Sequence, residues 1–225
     1  MQNRLEISYG MKKIFKVFVC CHKYIHRVKE IKARVDKWNL GDYLIFIGGE
    51  EEKQLGENVI QLKCRDLYED LPEKMFAIYG YLADKGYADK YDFFWKIDDD
   101  IDFNIWNKER EIQLSNCLEG NYHGLKVLSK PGKRGWHIGR VREDSPWYNK
   151  RYNGRYVPWA DGGSTYFLSS KSLKKWKNFY ELSHIRLHHI YEDLAVALFL
   201  EKCGISPIEI NPWPDKPVLK FNINR

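Results

Sequence analysis

Nowhere does this chain run together the ~18 apolar residues that a membrane-spanning helix needs. Its opening residues, Met1-Gln2-Asn3-Arg4-Leu5, contain no hydrophobic signal core. A strong charge of one sign is missing as well: 37 Lys and Arg against 31 Asp and Glu leave +6, too little by itself to point to nucleic acid. The five cysteines form no CxxC pair, are odd in number, and include the neighbours Cys20 and Cys21. That pattern fits free, buried thiols in a reducing compartment better than a disulfide framework. The expectation is a soluble cytoplasmic protein with no membrane span. Apolar content is not lacking: 44% hydrophobic and 15% aromatic residues over 225 positions can fill one sizeable core, which predicts a single domain over 1–225.

Hydrophobic patterning alternates between strand and helix. Ile14 to Cys21 is a continuous apolar, β-branched run and reads as a buried first strand. Val28, Ile31, Val35 and Trp38 then recur at three- and four-residue steps, the stripe of an amphipathic helix. Tyr43 to Ile47, closed by Gly48-Gly49, predicts a second strand, and Asn58 to Lys63 a third. A helix starts at Asp70-Leu71-Pro72-Glu73 with proline in its first turn, and Leu71, Met75, Ile78 and Leu82 form its buried face. The next strand, Tyr91 to Ile97, follows. This order predicts an α/β fold with a mixed, mostly parallel sheet flanked by helices.

That last strand runs into Asp98-Asp99-Asp100. Three adjacent carboxylates repel one another, and an acidic turn is the ordinary way to place them in water. In a twisted α/β sheet, however, ligands sit just beyond the carboxyl ends of the strands. Clustered oxygen ligands at that point suit Mg²⁺ or Mn²⁺ bridging protein and diphosphate. The triplet therefore reads as a metal-nucleotide site.

The second half carries the charge. Between Ser129 and Pro158, eight Lys and Arg (Lys130, Lys133, Arg134, Arg140, Arg142, Lys150, Arg151, Arg155) face Glu143 and Asp144, a local +6 equal to the net charge of the whole chain. Trp136, Trp147, Tyr148, Tyr152, Tyr156 and Trp159 are interleaved with them, so the segment can stack sugars or bases and contact phosphates, or close as a lid; a hairpin with a solvated face would carry the same residues. Asp161-Gly162-Gly163 follows, then a strand Thr165 to Leu168 and a helix begun by Ser169 or Ser170 with Leu173, Trp176 and Tyr180 on one face. The glycines allow a close backbone approach to a ligand or an ordinary turn. Glu192-Asp193 opens a very apolar helix, where an acidic pair caps the dipole and can also supply a general base. His184 and His188 have zinc-ligand spacing, but Ile185-Arg186-Leu187 between them lacks the metalloprotease Glu. Ser172-Leu173-Lys174-Lys175 matches SxxK without its companion motifs.

Taken in order, Asp66-Leu67-Tyr68-Glu69-Asp70-Leu71-Pro72-Glu73-Lys74, Trp95-Lys96-Ile97-Asp98-Asp99-Asp100, Asp161 to Ser169 and Glu192-Asp193-Leu194 resemble the fringe-like and β1,3-galactosyltransferase family of inverting glycosyltransferases. The resemblance spans about residues 14 to 205. It implies a single-domain, Rossmann-like GT-A fold, with 1–105 as the nucleotide-binding half and 106–225 as the acceptor-binding half. It also implies a nucleotide-sugar donor, usually a UDP-sugar, and a glycan or glycoprotein acceptor. Mn²⁺ (or Mg²⁺) would be held by Asp98 and Asp100, with Asp98, Asp99, Lys74, Asp161, Gly162 and Gly163 around the donor. Asp193, with Glu192 beside it, would take the proton of the acceptor hydroxyl. Family members carry a histidine after the acidic helix that completes the metal site, whereas no histidine follows Asp193 here. Carboxylates, diphosphate and water would then hold the metal. Members also carry a luminal anchor and stem; without them the expectation is a soluble enzyme of viral or bacterial type, and a chain separated from its anchor would belong in the Golgi lumen.

Two other classes use part of this inventory. A glycoside hydrolase needs paired carboxylates but no metal-binding triplet. A noncatalytic carbohydrate- or nucleic-acid-binding module would use the basic aromatic segment alone.

Overall fold

The computed structural model describes residues 11–130, 134–179, 182–216 and 218–221. The opening residues, Lys133 and Tyr180, which figure in the sequence reading, lie outside them. In chain order the elements are β1 (Ile14–Val19), α1 (Arg27–Trp38), β2 (Tyr43–Gly49), β3 (Lys53–Gly56), β4 (Val59–Lys63), α2 (Leu71–Asp84), β5 (Phe93–Asp98), β6 (Ile101–Phe103), α3 (Lys108–Cys117) and β7 (Tyr122–Gly124). There follow β8 (Val127–Leu128), β9 (Trp159–Ala160), β10 (Tyr166–Ser169), α4 (Ser170–Leu173), α5 (Leu182–His188), α6 (Glu192–Lys202), β11 (Ile208–Glu209) and β12 (Leu219–Phe221).

Eight strands form one sheet in the order β11-β7-β10-β5-β1-β2-β4-β3. Its centre, β5-β1-β2-β4, is parallel throughout. β10 then runs antiparallel to β5 and carries the second half of the chain into the same sheet. All six residues of β1 are buried, as a strand covered on both faces requires. Alternation sorts them: Phe15, Val17 and Val19 pack with α2 and α6 residues such as Met75, Ile78, Val196 and Leu200, whereas Ile14 and Phe18 pack with Ile31 and Val35 of α1 and Leu114 of α3. The fold is a mixed, mostly parallel α/β sheet flanked by helices, consistent with the GT-A type.

Local chemistry fixes the ends of the helices. α1 stops at Asn39, which adopts the left-handed conformation (φ 46°) that closes many helices. α2 carries Pro72 in its first turn, where no intrahelical N–H is lost. Asn107 caps α3 by accepting from the Arg110 amide at 2.9 Å. α4 is only four residues long, and Ser169 is its cap, accepting from the Ser172 amide at 3.1 Å. Ser172 is buried and donates to the Asn121 carbonyl at 2.7 Å, while Lys175 is exposed, so the SxxK match is structural. Among the described residues, no helix is long and apolar enough to cross a membrane.

Candidate active site

The parallel strands deliver their carboxyl ends to one edge of the sheet. Beyond β1, β2 and β4 lies an open cleft of about 860 Å³, lined by His22, Gly48, Lys63, Arg65 and Asp66 among others. Its wall is close-packed: a Cβ on Gly48 would stand 2.7 Å from Cβ of Asp66. Asp66 itself is tied down by the ammonium of Lys74 and by the amide of His22. Lys74, expected at the donor, is buried and also donates to the Cys20 carbonyl at 3.0 Å. It therefore braces Asp66 and the end of β1 and does not itself face the cleft.

The aspartate triplet closes β5 and sends its side chains to different partners. Asp98 pairs with Lys96 at 2.8 Å. Asp99 pairs with Arg27 of α1 at 3.0 Å and accepts from the Cys20 thiol at 3.6 Å. Burial raises the Asp99 carboxyl above the usual range, with Arg27 opposing. The backbone turn after β5 is held by Arg34, which donates to the carbonyls of Asp99 and Ile101 at 3.0 and 2.9 Å. Asp100 is largely buried at this turn.

Lys96 is the centre of the site. It is 1% exposed in an otherwise apolar strand. Its ammonium contacts Asp98 at 2.8 Å, Glu192 at 3.1 Å and the Gly162 carbonyl at 3.0 Å. Burial alone would lower the pKa of this lysine, but the two carboxylates outweigh it and hold the ammonium charged. One cation offsets one carboxylate. Accordingly, burial pushes the Glu192 carboxyl up to about 7, against the pull of Lys96 and with help from Asp193 and Asp98. Tyr79 donates to the Tyr166 hydroxyl at 2.8 Å, and Tyr166 donates to Glu192 at 3.2 Å. Both carboxylate oxygens of Glu192 are therefore engaged.

Asp193 occupies a different environment. It is half-buried at the first turn of α6, accepting from the Gly162 amide at 3.0 Å and the Leu194 amide at 2.8 Å. Burial raises its carboxyl above the ordinary value, and those two amides hold it back. A Cβ on Gly162 would stand 2.2 Å from Oε1 of Glu192 and 3.1 Å from Cβ of Asp193. The close approach that glycine allows here is thus to the chain's own acidic helix. Gly163 is exposed, where a Cβ would make only an ordinary contact with Oδ1 of Asp161 at 3.7 Å, and Asp161 accepts from the Ser164 hydroxyl at 2.6 Å. Thr165, next in the loop, has φ 72°, costly for a β-branched residue. Its hydroxyl donates to the Lys96 carbonyl and accepts from the Trp95 indole at 2.8 Å. Backbone strain of this kind gathers at functional sites.

The basic aromatic segment packs onto the entrance to α6. His137 is fully buried, bonded to the Tyr191 hydroxyl at 3.0 Å and the Lys150 carbonyl at 2.7 Å. Tyr152 is buried against Trp147, Tyr156 and Tyr191. Trp136 and Tyr148 are exposed instead, Trp136 at 57%, with the Arg140 guanidinium 4.2 Å from its ring centre. Arg142 reaches Glu69 at 3.7 Å, across a second cavity of about 320 Å³ that shares Arg65 and Asp70 with the large cleft.

Among the described residues, no three His, Cys, Asp or Glu side chains converge in a way that could hold a metal ion. His184 and His188 are exposed with their rings 4.3 Å apart, and no third ligand joins them. The triplet supplies only carboxylate oxygens. That donor set is of the kind a hard divalent cation takes.

A family model described as galactosyltransferase matches residues 49–211, most of the chain. The match begins in β2 and takes in the cleft wall, the triplet, the glycine loop and the acidic helix. The protein belongs to this family, that of the β1,3-galactosyltransferases and their fringe-like members, and is a glycosyltransferase. A nucleotide-sugar donor and a glycan acceptor follow from that membership. No curated protein matches the chain.

Proposed function

We propose that this enzyme transfers a sugar from a UDP-sugar to a hydroxyl of a glycan or glycoprotein with inversion, in a reaction that depends on Mn²⁺ or Mg²⁺. The observation that carries the reading is the meeting of the triplet's first carboxylate, Asp98, and Glu192 of α6 at one buried lysine, with a cleft of about 860 Å³ beyond the neighbouring strands β1, β2 and β4.

In this reading residues 1–105 bind the nucleotide. Asp66, braced by Lys74, faces the nucleoside, and Asp99, held by Arg27, keeps the turn after β5 in place. Asp98 and Asp100 would hold the cation, whose contribution is to offset charge on the diphosphate as it leaves. Residues 106–225 bind the acceptor, with Trp136 and Arg140 presenting an aromatic and a cationic face beside the entrance to α6. Asp161 and Gly163 border the sugar.

Asp193 is the general base, being half-buried with each carboxylate oxygen oriented by one backbone amide; Glu192, buried and paired with Lys96, supports it. The acceptor O–H gives its proton to the Asp193 carboxylate while its oxygen forms a bond to the anomeric carbon. The bond from that carbon to the diphosphate oxygen breaks on the opposite face, and its electron pair leaves with the diphosphate. The described cysteines are all free, in keeping with a reducing compartment such as the cytoplasm.

The test is a thermal-shift panel of UDP-, GDP- and TDP-sugars, each with and without Mn²⁺, because a ligand that binds only the folded state raises Tm. A shift confined to UDP-sugars with Mn²⁺ is expected. A shift indifferent to Mn²⁺ would overturn the metal-dependent reading, and a larger shift with another base would overturn the donor.

A further inference from the structure

Gly162 is gripped from both sides. Its carbonyl accepts from Lys96 and its amide donates to Asp193. The Lys96 ammonium, in turn, is fixed by Asp98 at the end of β5 and by Glu192, the chain neighbour of Asp193. Two short paths therefore lead from the triplet to the base, one through the Gly162 peptide and one through the first turn of α6, and both start at Lys96. A lysine needing only to be satisfied in the core would be met by one carboxylate. Here the second carboxylate is itself costly to bury, and the loop between them holds Thr165 at a positive φ with its hydroxyl on the Lys96 carbonyl.

We propose that Lys96 is a positioning residue that sets the reach of Asp193 toward the acceptor relative to the donor carboxylates, acting through the Gly162 peptide and Glu192. The proposal rests on Asp193 being the base. Lys96 touches neither substrate. Its effect is to remove freedom between two elements that are adjacent only through the antiparallel return of β10 onto β5. Displacing a catalytic group by about 1 Å can cost ~10²-fold in rate, and loss of the ammonium frees both paths at once.

Removing Lys96 alone leaves Glu192 buried without its cation and risks the fold, so the experiment uses the pair Lys96→Met/Glu192→Gln, read against Glu192→Gln by itself. Three measurements are made on each: calorimetric binding of UDP with Mn²⁺, UDP release from UDP-galactose with monosaccharide acceptors, and hydrogen exchange of the Gly162 amide. Relative to Glu192→Gln, the double variant should lose ~10²-fold in kcat and exchange the Gly162 amide at least ~10-fold faster. Its UDP affinity should stay within about threefold. Unchanged kcat with unchanged Gly162 exchange would overturn the proposal. So would a parallel loss of kcat, UDP affinity and protection across the whole sheet, which would make Lys96 a core residue only. Asp193→Asn separates this from the underlying reading: if that variant transfers sugar at the wild-type rate the base assignment fails, whereas an inactive Asp193→Asn beside a fully active double variant sinks the positioning role alone. The amide measurement needs no substrate and decides the coupling whichever donor the enzyme uses.

Discussion

Two lysines are buried in the centre of the sheet on adjacent strands and on opposite faces. Lys16 of β1 sits beside Trp95 in register, and Lys96 of β5 beside Val17. Lys16 lies toward the amino ends of the parallel strands, near Gly41 at the turn into β2. Among the described residues no carboxylate approaches it within ion-pair distance. Burial pushes its pKa down to about 8, with Glu111 and Asp42 only partly opposing. Lys96, toward the carboxyl ends, has two carboxylates and a carbonyl, and its pKa rises. The same side chain at the same depth is thus a cost on one face and an organising centre on the other. The difference lies in what the loops beyond each end of the strands supply.

The largest expected break in this contrast is Gly162→Ala. Its Cβ would collide with Glu192, which is held by Lys96 and Tyr166 and has little room to move. Overpacking of this kind costs about 1–3 kcal/mol, so Tm should fall by several degrees and sugar transfer should be lost. A variant with wild-type Tm and rate would show that the loop yields freely.

Asp193→Asn keeps shape and removes the proton acceptor, so transfer should fall by ~10²–10⁴-fold with UDP–Mn²⁺ affinity unchanged. In the wild type the base must be ionised. Its carboxyl is raised by burial, so kcat/KM should fall as pH drops through a limb lying above the ordinary aspartate value of 3.8. A pH–rate profile with no such limb would remove Asp193 from the role.

Asp100→Ala should abolish the Mn²⁺-dependent part of UDP binding in calorimetry while leaving the melting curve close to wild type. Binding that keeps its full Mn²⁺ dependence would leave the cation to other groups.

The smallest effect should appear on the other face. Between pH 8 and 10.5 the unfolded chain keeps a proton on Lys16 that the folded chain releases, so wild-type stability should rise with pH through that window. Lys16→Met should raise Tm by a few degrees at pH 7, and the gain should shrink toward pH 10.5. Transfer should be untouched, because Lys16 is remote from the site. A Lys16→Met protein less stable than wild type at pH 7 would mean that the ammonium is satisfied after all.

The parallel core was legible because strands buried on both faces read as nearly unbroken apolar runs, as Ile14–Val19 and Phe93–Ile97 do around a single lysine each. Pro72 and the stripe of α1 announced the two large helices of the first half. Shorter pieces were not legible: α3 is highly charged with a weak apolar face, and β8 and β9 are two residues each, paired across more than thirty positions by tertiary contact. At the site, the triplet and the acidic pair stood out as charge next to apolar runs. Lys96, like Lys16 a charged residue inside an apolar strand, was an equal signal whose meaning depended on its partners. The aromatic residues of the basic segment read as an open surface, yet Tyr152 is buried and His137 is sealed beneath Tyr191.

By itself, the sequence determined the order of the larger strands and helices, the end of β5 in carboxylates and the acidic start of α6, because each follows from local periodicity and charge. Only the tertiary structure decided that β10 returns antiparallel to β5, and thereby brings Gly162 and the start of α6 to Lys96. It also decided that Glu192 turns inward to the lysine while its neighbour Asp193 stays half-open. Successive residues of a helix point about 100° apart, so which of two adjacent acids is buried depends on the surface against which that helix packs.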